Sequence, residues 1–390
     1  MAEGTKLLIR PERAILIAVL IGTVYSFLWP GATGDVRIYL TWVDTIVERG
    51  RIGAFAEPFS DYTPPYLYLL SLVSPLVGPF GGAHVIKALA VGGTLLLVLA
   101  TRHLLKVSGC DRNVEMAIWV ALVPTVAVNA AGLAQCDAMW AAPCVMAVAS
   151  AVSRKPLAML VWFGVGISIK AQAVFLAPFI AQRLLSERTP LVLWPVPGLV
   201  YIGAMLPAAI VGWPLLDLLT VYLQQTEWNP KFISNASNLW AAVQYAAPKA
   251  GLAWLWLGLA AAAVGSFLYI MAFRRARDKP VDLIALAMLS AMLLPFLLPK
   301  MHERYFFLAD VLAFAYLVLR RDRLGLTVFL LVQAASAAAI LGLLLQLPLL
   351  PIVGGVMMLA AILILVWTLL NSAEAKCGRS APNPLALAST

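Results

Sequence analysis

The sequence predicts an all-α polytopic membrane protein, and three observations carry that prediction. The mean hydropathy is +0.89, with 62% hydrophobic and 12% charged residues, well outside the range of an ordinary soluble globular chain. Apolar runs close to the roughly 20 residues needed to cross a bilayer recur along the chain. The Lys and Arg residues punctuate the ends of those runs. A membrane β-barrel would instead show alternating segments of about 10 residues, and none is seen. The 390 residues leave room for about 12 crossings joined by short loops. Residues 1–370 therefore read as one transmembrane domain, and the polar residues 371–390 as a disordered cytoplasmic tail.

The net charge of +9 does not point to nucleic acid, because the basic residues are spread over helix ends and form no single patch. The four Cys, at 110, 136, 144 and 377, make no CxxC, so neither a zinc site nor a disulfide framework is suggested.

Taken in order, Lys6, Arg10 and Arg13 precede the first apolar run, 14–29, and place the N-terminus in the cytoplasm. Residues 35–50 show amphipathic spacing, with Val36, Tyr39, Leu40, Val43, Ile46 and Val47 apolar, and are expected to lie along the interface. Pro64-Pro65 open an apolar stretch, 66–80, that is short for a crossing. The run at 84–105 ends in Arg102, His103 and Lys106, which belong inside. It must therefore come in from outside, so 66–80 is expected to be re-entrant or interfacial.

Helices are then expected at 114–130, 138–152, 157–169, 173–186, 191–211, 251–272, 281–298, 306–319, 326–345 and 352–370. Lys170 and Gln172 mark the break between two short ones, as where broken helices line a cavity. With the C-terminus also cytoplasmic, this layout puts most of the 28 Lys and Arg inside.

The polar groups that this charge bias leaves unexplained fall on the opposite face: Asp35, Asp61, Gln135, Asp137, Lys170, His302, Glu303 and Arg304. Ionisable residues at membrane depth are costly and point to function. Asp35, after a Gly-rich turn, is either the N-cap of the next helix or a general base for an acceptor hydroxyl. Asp137, just before Ala138-Met139-Trp140, is either a helix N-cap or, with Gln135 beside it, a member of the site.

Lys300, His302 and Arg304 alternate in an outer loop, which the positive-inside rule disfavours. They are a solvated basic turn or a phosphate site, Arg304 being suited to a bidentate contact. Lys170 contacts the same phosphate or snorkels to the interface. With three His in the chain, a multi-His metal site is not expected. A carboxylate-bound divalent cation between Asp35 and Asp137 is the one cofactor these residues leave open.

Four pieces of the chain, spread over most of 14–320, resemble the GT-C superfamily of integral-membrane glycosyltransferases. More narrowly they resemble bacterial relatives of the GPI second mannosyltransferase. The pieces are Gly34-Asp35 with its following helix, Tyr62-Thr63-Pro64-Pro65-Tyr66-Leu67-Tyr68, Gln135-Cys136-Asp137 with Lys170-Ala171-Gln172, and Pro299-Lys300-Met301-His302-Glu303-Arg304-Tyr305. The chain departs from that pattern in having Leu133-Ala134 where relatives often have Trp-Gly, and Ala171 where they often have the Pro of Lys-Pro-Gln.

The resemblance implies a GT-C-like fold of about 12 transmembrane helices, with interfacial helices in the first outer loop. It implies inverting transfer from a polyprenyl-phosphate sugar to a glycan, lipid or protein acceptor, on the non-cytoplasmic face of the plasma (inner) membrane. Asp35 and Asp137 would be catalytic. Lys170, Lys300, His302 and Arg304 would bind the donor phosphate. Asp61, Tyr62, Gln135, Gln172, Glu303 and Tyr305 would support them. A flippase or transporter of lipid-linked sugars is the alternative, but the paired repeats common in transporters are not found. A non-catalytic membrane scaffold is a third.

Overall fold

Helices form where the apolar runs lie and stop where Pro, Gly or a charge interrupts them. The computed structural model describes residues 11–29, 31, 33–228, 233–247, 252–275 and 279–377, and within these it is helical throughout, with only two isolated bridges. Among the described residues, six helices are long and apolar enough to cross a membrane: Gly82–Val107, Leu191–Val211, Ala253–Phe273, Pro280–Leu297, Arg323–Leu344 and Leu349–Asn371. Ile17–Leu28, Asp137–Val152 and Pro156–Ile169 are apolar but shorter. This is a multi-pass membrane protein.

The stretch expected as one straight crossing at 114–130 is instead a bent pair, Asn113–Leu122 and Pro124–Gly132, set at 59°. The cause is Pro124, which pushes Val123 into extended backbone (ψ 124°). Counted as one span, the pair would raise the six to seven.

The Gly34–Arg49 helix buries Val36, Tyr39, Trp42, Val43 and Ile46 against the protein, while Val47 faces away. Pro64–Val73 is the short helix that Pro64-Pro65 were expected to open. The last helix runs on to Cys377, past the expected start of the tail, and 378–390 lie outside the described residues. So do Lys6 and Arg10, on which the orientation reading leans, and residues 229–232.

Two apolar clusters form the interior. The larger gathers the Gly82–Val107, Asp137–Val152, Pro280–Leu297 and Phe307–Arg320 helices with the last two. The smaller gathers the Gly34–Arg49 and Pro64–Val73 helices with parts of the 196–211 helix. Pro280–Leu297 is central, buried along most of its length, whereas Leu191–Val211 and Ala253–Phe273 present apolar flanks such as Leu199, Leu206, Trp256 and Phe267 to the lipid.

The Phe307–Arg320 helix follows directly after the cationic turn, and a buried polar network fixes it. Asp310 Oδ1 accepts from Gln333 Nε2 at 3.1 Å and Ser336 Oγ at 2.9 Å, while Thr125 Oγ1 donates to Gln333 Oε1 at 2.9 Å. Removing the carboxyl leaves two buried donors unmatched, so Asp310→Ala is expected to cost about 1–3 kcal/mol. Asp310→Asn should recover most of it, as read by thermal unfolding of the detergent-solubilised protein.

Candidate active site

The candidate site forms where the two apolar clusters meet. Residues around position 137 divide between them: Ala134, Cys136 and Met139 pack into the smaller, Ala138 and Trp140 into the larger. Asp137 is thus held between two apolar masses, 2% exposed. A carboxylate there must be paired.

Lys170 Nζ donates to Asp137 Oδ1 at 2.6 Å, Trp140 Nε1 to the same oxygen at 3.0 Å, and Asn129 Nδ2 to Oδ2 at 2.8 Å. Burial alone would discharge Lys170, but the adjacent Asp137 carboxylate holds its pKa well above the ordinary value. Asp137 is the first residue of its helix and is not the cap. Its side chain is spent on these three partners.

Local backbone explains how they meet. The Pro156–Ile169 helix stops at Lys170, whose N–H still reaches Gly166 O at 3.1 Å while its own backbone is extended. A Cβ at Gly166 would stand 3.0 Å from Cys144 Sγ and 3.2 Å from Ala173 Cβ, so a larger residue here would need its neighbours to give way where the helix leading to Lys170 packs on the one carrying Asp137. Carbonyls freed at the helix end are taken by Thr63 Oγ1, which donates to Ile169 O at 3.2 Å, and by Tyr222 OH, which donates to Ile167 O.

On the other side, Val128–Gly132 makes a π-helical turn and Ala134 takes left-handed backbone (φ 53°). That conformation costs an L residue about 1–2 kcal/mol. Asn129, Gln135 and Asp137 all project from this turn.

Asp35 comes from the smaller cluster. Thr33 Oγ1 caps the Gly34–Arg49 helix by accepting from Val36 N, so Asp35 is not the cap and its carboxylate is free for other contacts. Gln135 Nε2 donates to Asp35 Oδ2 at 2.7 Å, and Tyr39 OH donates to Gln135 Oε1 at 3.1 Å. Tyr39 packs edge to face with Tyr62 and Tyr66 beside it, Trp42 lies tilted against Tyr39 and Tyr62, and Lys170 Nζ lies 5.4 Å over the Tyr62 ring.

Arg304 joins the two acids. Its Nη2 is 2.9 Å from Asp35 Oδ2, its Nε 3.8 Å from Asp137 Oδ2, and its Nη1 2.6 Å from Glu303 Oε1. Residues 35, 137, 170 and 304, far apart in sequence, therefore form one cluster. The two acids differ in access, however: Asp35 is 35% exposed and Asp137 is enclosed.

The remaining expected residues sit as follows. Glu303 is buried against Arg304. Tyr305 lies beside His302, with ring centroids 5.2 Å apart and the rings tilted. Asp61 is half-buried beyond the cluster, its backbone carbonyl taken by Gln225, and burial pushes its pKa up. Lys300 is half-buried at the start of the turn in left-handed backbone (φ 61°).

Two expectations change. His302 was read as a potential cation, but burial first, and then the Arg304 charge, lower its pKa to about 4. It is neutral at pH 7. A divalent cation between Asp35 and Asp137 does not fit either, because the Arg304 guanidinium lies between them. Among the described residues, no group of three or more His, Cys, Asp or Glu side chains is placed to hold a metal ion.

Asn129, Tyr39 and Trp140 were not anticipated as members. Asn129 alone carried a signal, an amide inside an apolar run.

Compared with known proteins, residues 45–186 match the family model of the alpha-(1->6)-mannopyranosyltransferase N-terminal domain, over a little more than a third of the chain. The match supports a GT-C mannosyltransferase-like membrane protein. No curated protein matches the chain. The matched stretch holds Asp61, Tyr62, Gln135, Asp137, Lys170 and Gln172, but neither Asp35 nor the turn at 299–305.

Lys170→Met strands the enclosed Asp137 and is expected to cost about 3–5 kcal/mol, whereas Lys170→Met with Asp137→Leu should cost much less. A pH titration of thermal stability tests His302. Its folded pKa of about 4 lies below the ordinary 6.5, so the unfolded chain binds the extra proton. Stability should therefore fall as pH drops from about 6.5 towards 4, and His302→Gln should lose that part of the slope.

Proposed function

We propose that the chain is an inverting glycosyltransferase of the mannosyltransferase type. It moves a mannose, or another hexose or pentose, from a polyprenyl-phosphate donor to an acceptor on the non-cytoplasmic face. The observation that carries this reading is the pairing of an accessible carboxylate, Asp35, with the buried guanidinium of Arg304 at 2.9 Å. A base and a phosphate ligand are thereby side by side. With the bent pair and the three shorter apolar helices also spanning, the described crossings come to ten; the expected 12 are reached only if Ala177–Ser186 and Phe307–Arg320 cross as well.

In the reaction, an Asp35 oxygen takes the proton of an acceptor hydroxyl. The acceptor oxygen bonds to the sugar C1 as the bond from C1 to the phosphate oxygen breaks on the opposite face. The lipid phosphate leaves with that electron pair, and the configuration at C1 inverts. Arg304 stabilises the charge that develops on the phosphate, with Lys170 behind it. Neutral His302 contributes a hydrogen bond, not a charge.

Asp137, expected as a second catalytic acid, is too enclosed to touch substrate. Its role in this reading is to hold Lys170 and Arg304 in place. Gln135 and Tyr39 aim Asp35 from the other side.

The charge balance adds an order to these events. Asp35, Asp137 and Glu303 face Lys170 and Arg304, so the cluster has no spare cation for a phosphate. An arriving phosphate must replace Asp35 as the front partner of Arg304. That exchange releases the base when the donor arrives and not before.

The test is transfer of labelled sugar from a polyprenyl-phosphate donor by purified protein. Asp35→Asn should reduce turnover by about 10²–10⁴-fold with donor binding retained. Arg304→Lys should weaken donor use, because an ammonium cannot replace the planar fork. Near-normal turnover in Asp35→Asn would remove Asp35 as the base. Movement of unchanged donor across proteoliposomes, with no transfer, would favour a flippase.

A further inference from the structure

A second cavity adjoins the cationic turn and takes no part in the chemistry above. Its volume is about 390 Å³, and Asn235, Gln244, Tyr245, Ile233, Pro348 and Pro351 line it. That size is in the usual range for small-molecule sites, roughly 300–1,000 Å³.

One wall is tied directly to the candidate active site. Ser234 N donates to Met301 O at 2.9 Å, and Ser234 and Asn235 both make backbone bridges to His302. Asn235 holds left-handed backbone (φ 58°), a conformation that Asn tolerates better than most residues. A ligand seated here lies next to the turn that holds Arg304.

The lining selects against two classes of ligand. Among the described residues none of the lining side chains is charged, so a phosphate or a carboxylate finds no ion partner. An acyl or prenyl chain would cover two amides and a phenol without satisfying them.

A neutral, polyhydroxylated ligand fits. Each amide offers a donor and an acceptor, the pair needed by adjacent sugar hydroxyls. Gln244 Oε1 is buried with no hydrogen-bond partner, which asks for a hydroxyl donor. Tyr245 is 58% exposed and offers a ring face to the apolar side of a pyranose. The prolines at 348 and 351 restrict the backbone of the facing wall.

We infer that this cavity binds one neutral hexose unit, and that the unit belongs to the acceptor glycan. The second half of that statement rests on the glycosyltransferase reading; the binding itself does not.

The experiment uses the full chain in lipid nanodiscs. Methyl α-D-mannopyranoside is the probe, read by saturation-transfer NMR, alongside sugar transfer from a polyprenyl-phosphate donor. Tyr245→Ala alters an exposed side chain and should fold normally; Gln244→Leu tests the buried amide. Saturation transfer is expected in the parent protein and should drop roughly tenfold in each variant. The acceptor KM should rise by a similar factor, with kcat and donor KM unchanged.

Equal sugar binding in the parent and both variants, or none in the parent, would overturn the cavity as a hexose site. Unchanged acceptor KM in an active protein would overturn its acceptor role. Loss of sugar binding in the variants of a protein with no transfer activity would leave the cavity standing and remove the glycosyltransferase reading instead.

Discussion

The buried pair of Asp137 and Lys170 is the constraint from which the rest of the site follows. A carboxylate enclosed between two apolar clusters is tolerated only with a close counter-charge and hydrogen bonds to its remaining lone pairs. The chain departs from regular helix wherever that demand is met. The helix from Pro156 stops one residue short of Lys170, Gly166 lets it lie against Cys144, and a π turn presents Asn129. Local irregularity at these points is therefore not looseness. It is what delivers three donors to one carboxylate inside an apolar protein.

With that anchor in place, Arg304 is held by graded attractions. Asp137 stands behind it at 3.8 Å, Glu303 beside it at 2.6 Å, and Asp35 in front at 2.9 Å. The two rear acids are buried, so their pull on the guanidinium is little screened by water. Asp35 is the exposed member and the one a ligand can displace. A site arranged this way keeps its cation fixed while the front contact exchanges. Two acids of the same chemistry thus differ in what can reach them, because the fold gives them different access to solvent.

Much of this was legible in the sequence, and for one reason. In so apolar a chain, a polar residue that charge bias does not explain is conspicuous, which singled out Asp35, Gln135, Asp137, Lys170 and Arg304. Helix positions followed from apolar runs for the same reason. What was missed lies where chemistry depends on the third dimension. Tyr39 counted only as an apolar position of its helix and Trp140 carried no role, and it is their hydroxyl and indole N–H that reveal their part. His302 looked cationic because burial is invisible in a sequence. Asp310 was passed over inside an apolar helix, since its partners Gln333 and Ser336 come from the next one. The bend at Pro124 was readable, because proline constrains the residue before it, but the surrounding apolar run outweighed it. Ala134, a departure from the glycine often seen in relatives, occupies backbone that glycine adopts without strain, and this gives the departure a physical meaning.

The comparison with the mannopyranosyltransferase family divides along the same line as the electrostatics. Residues 45–186 contain the buried anchor, Asp137 with Lys170, and the aromatic wall at Tyr62 and Tyr66. The exposed carboxylate, Asp35, and the turn bearing Arg304 come from before and after that stretch. A scaffold holding a buried ion pair is of little chemical use alone, because neither charge reaches a substrate. It becomes useful when a guanidinium is laid across it with one side facing a solvent-accessible acid. The start of the Gly34–Arg49 helix and the turn at 299–305 supply those two groups, so changes confined to these segments would alter chemistry or substrate access while leaving the anchor intact.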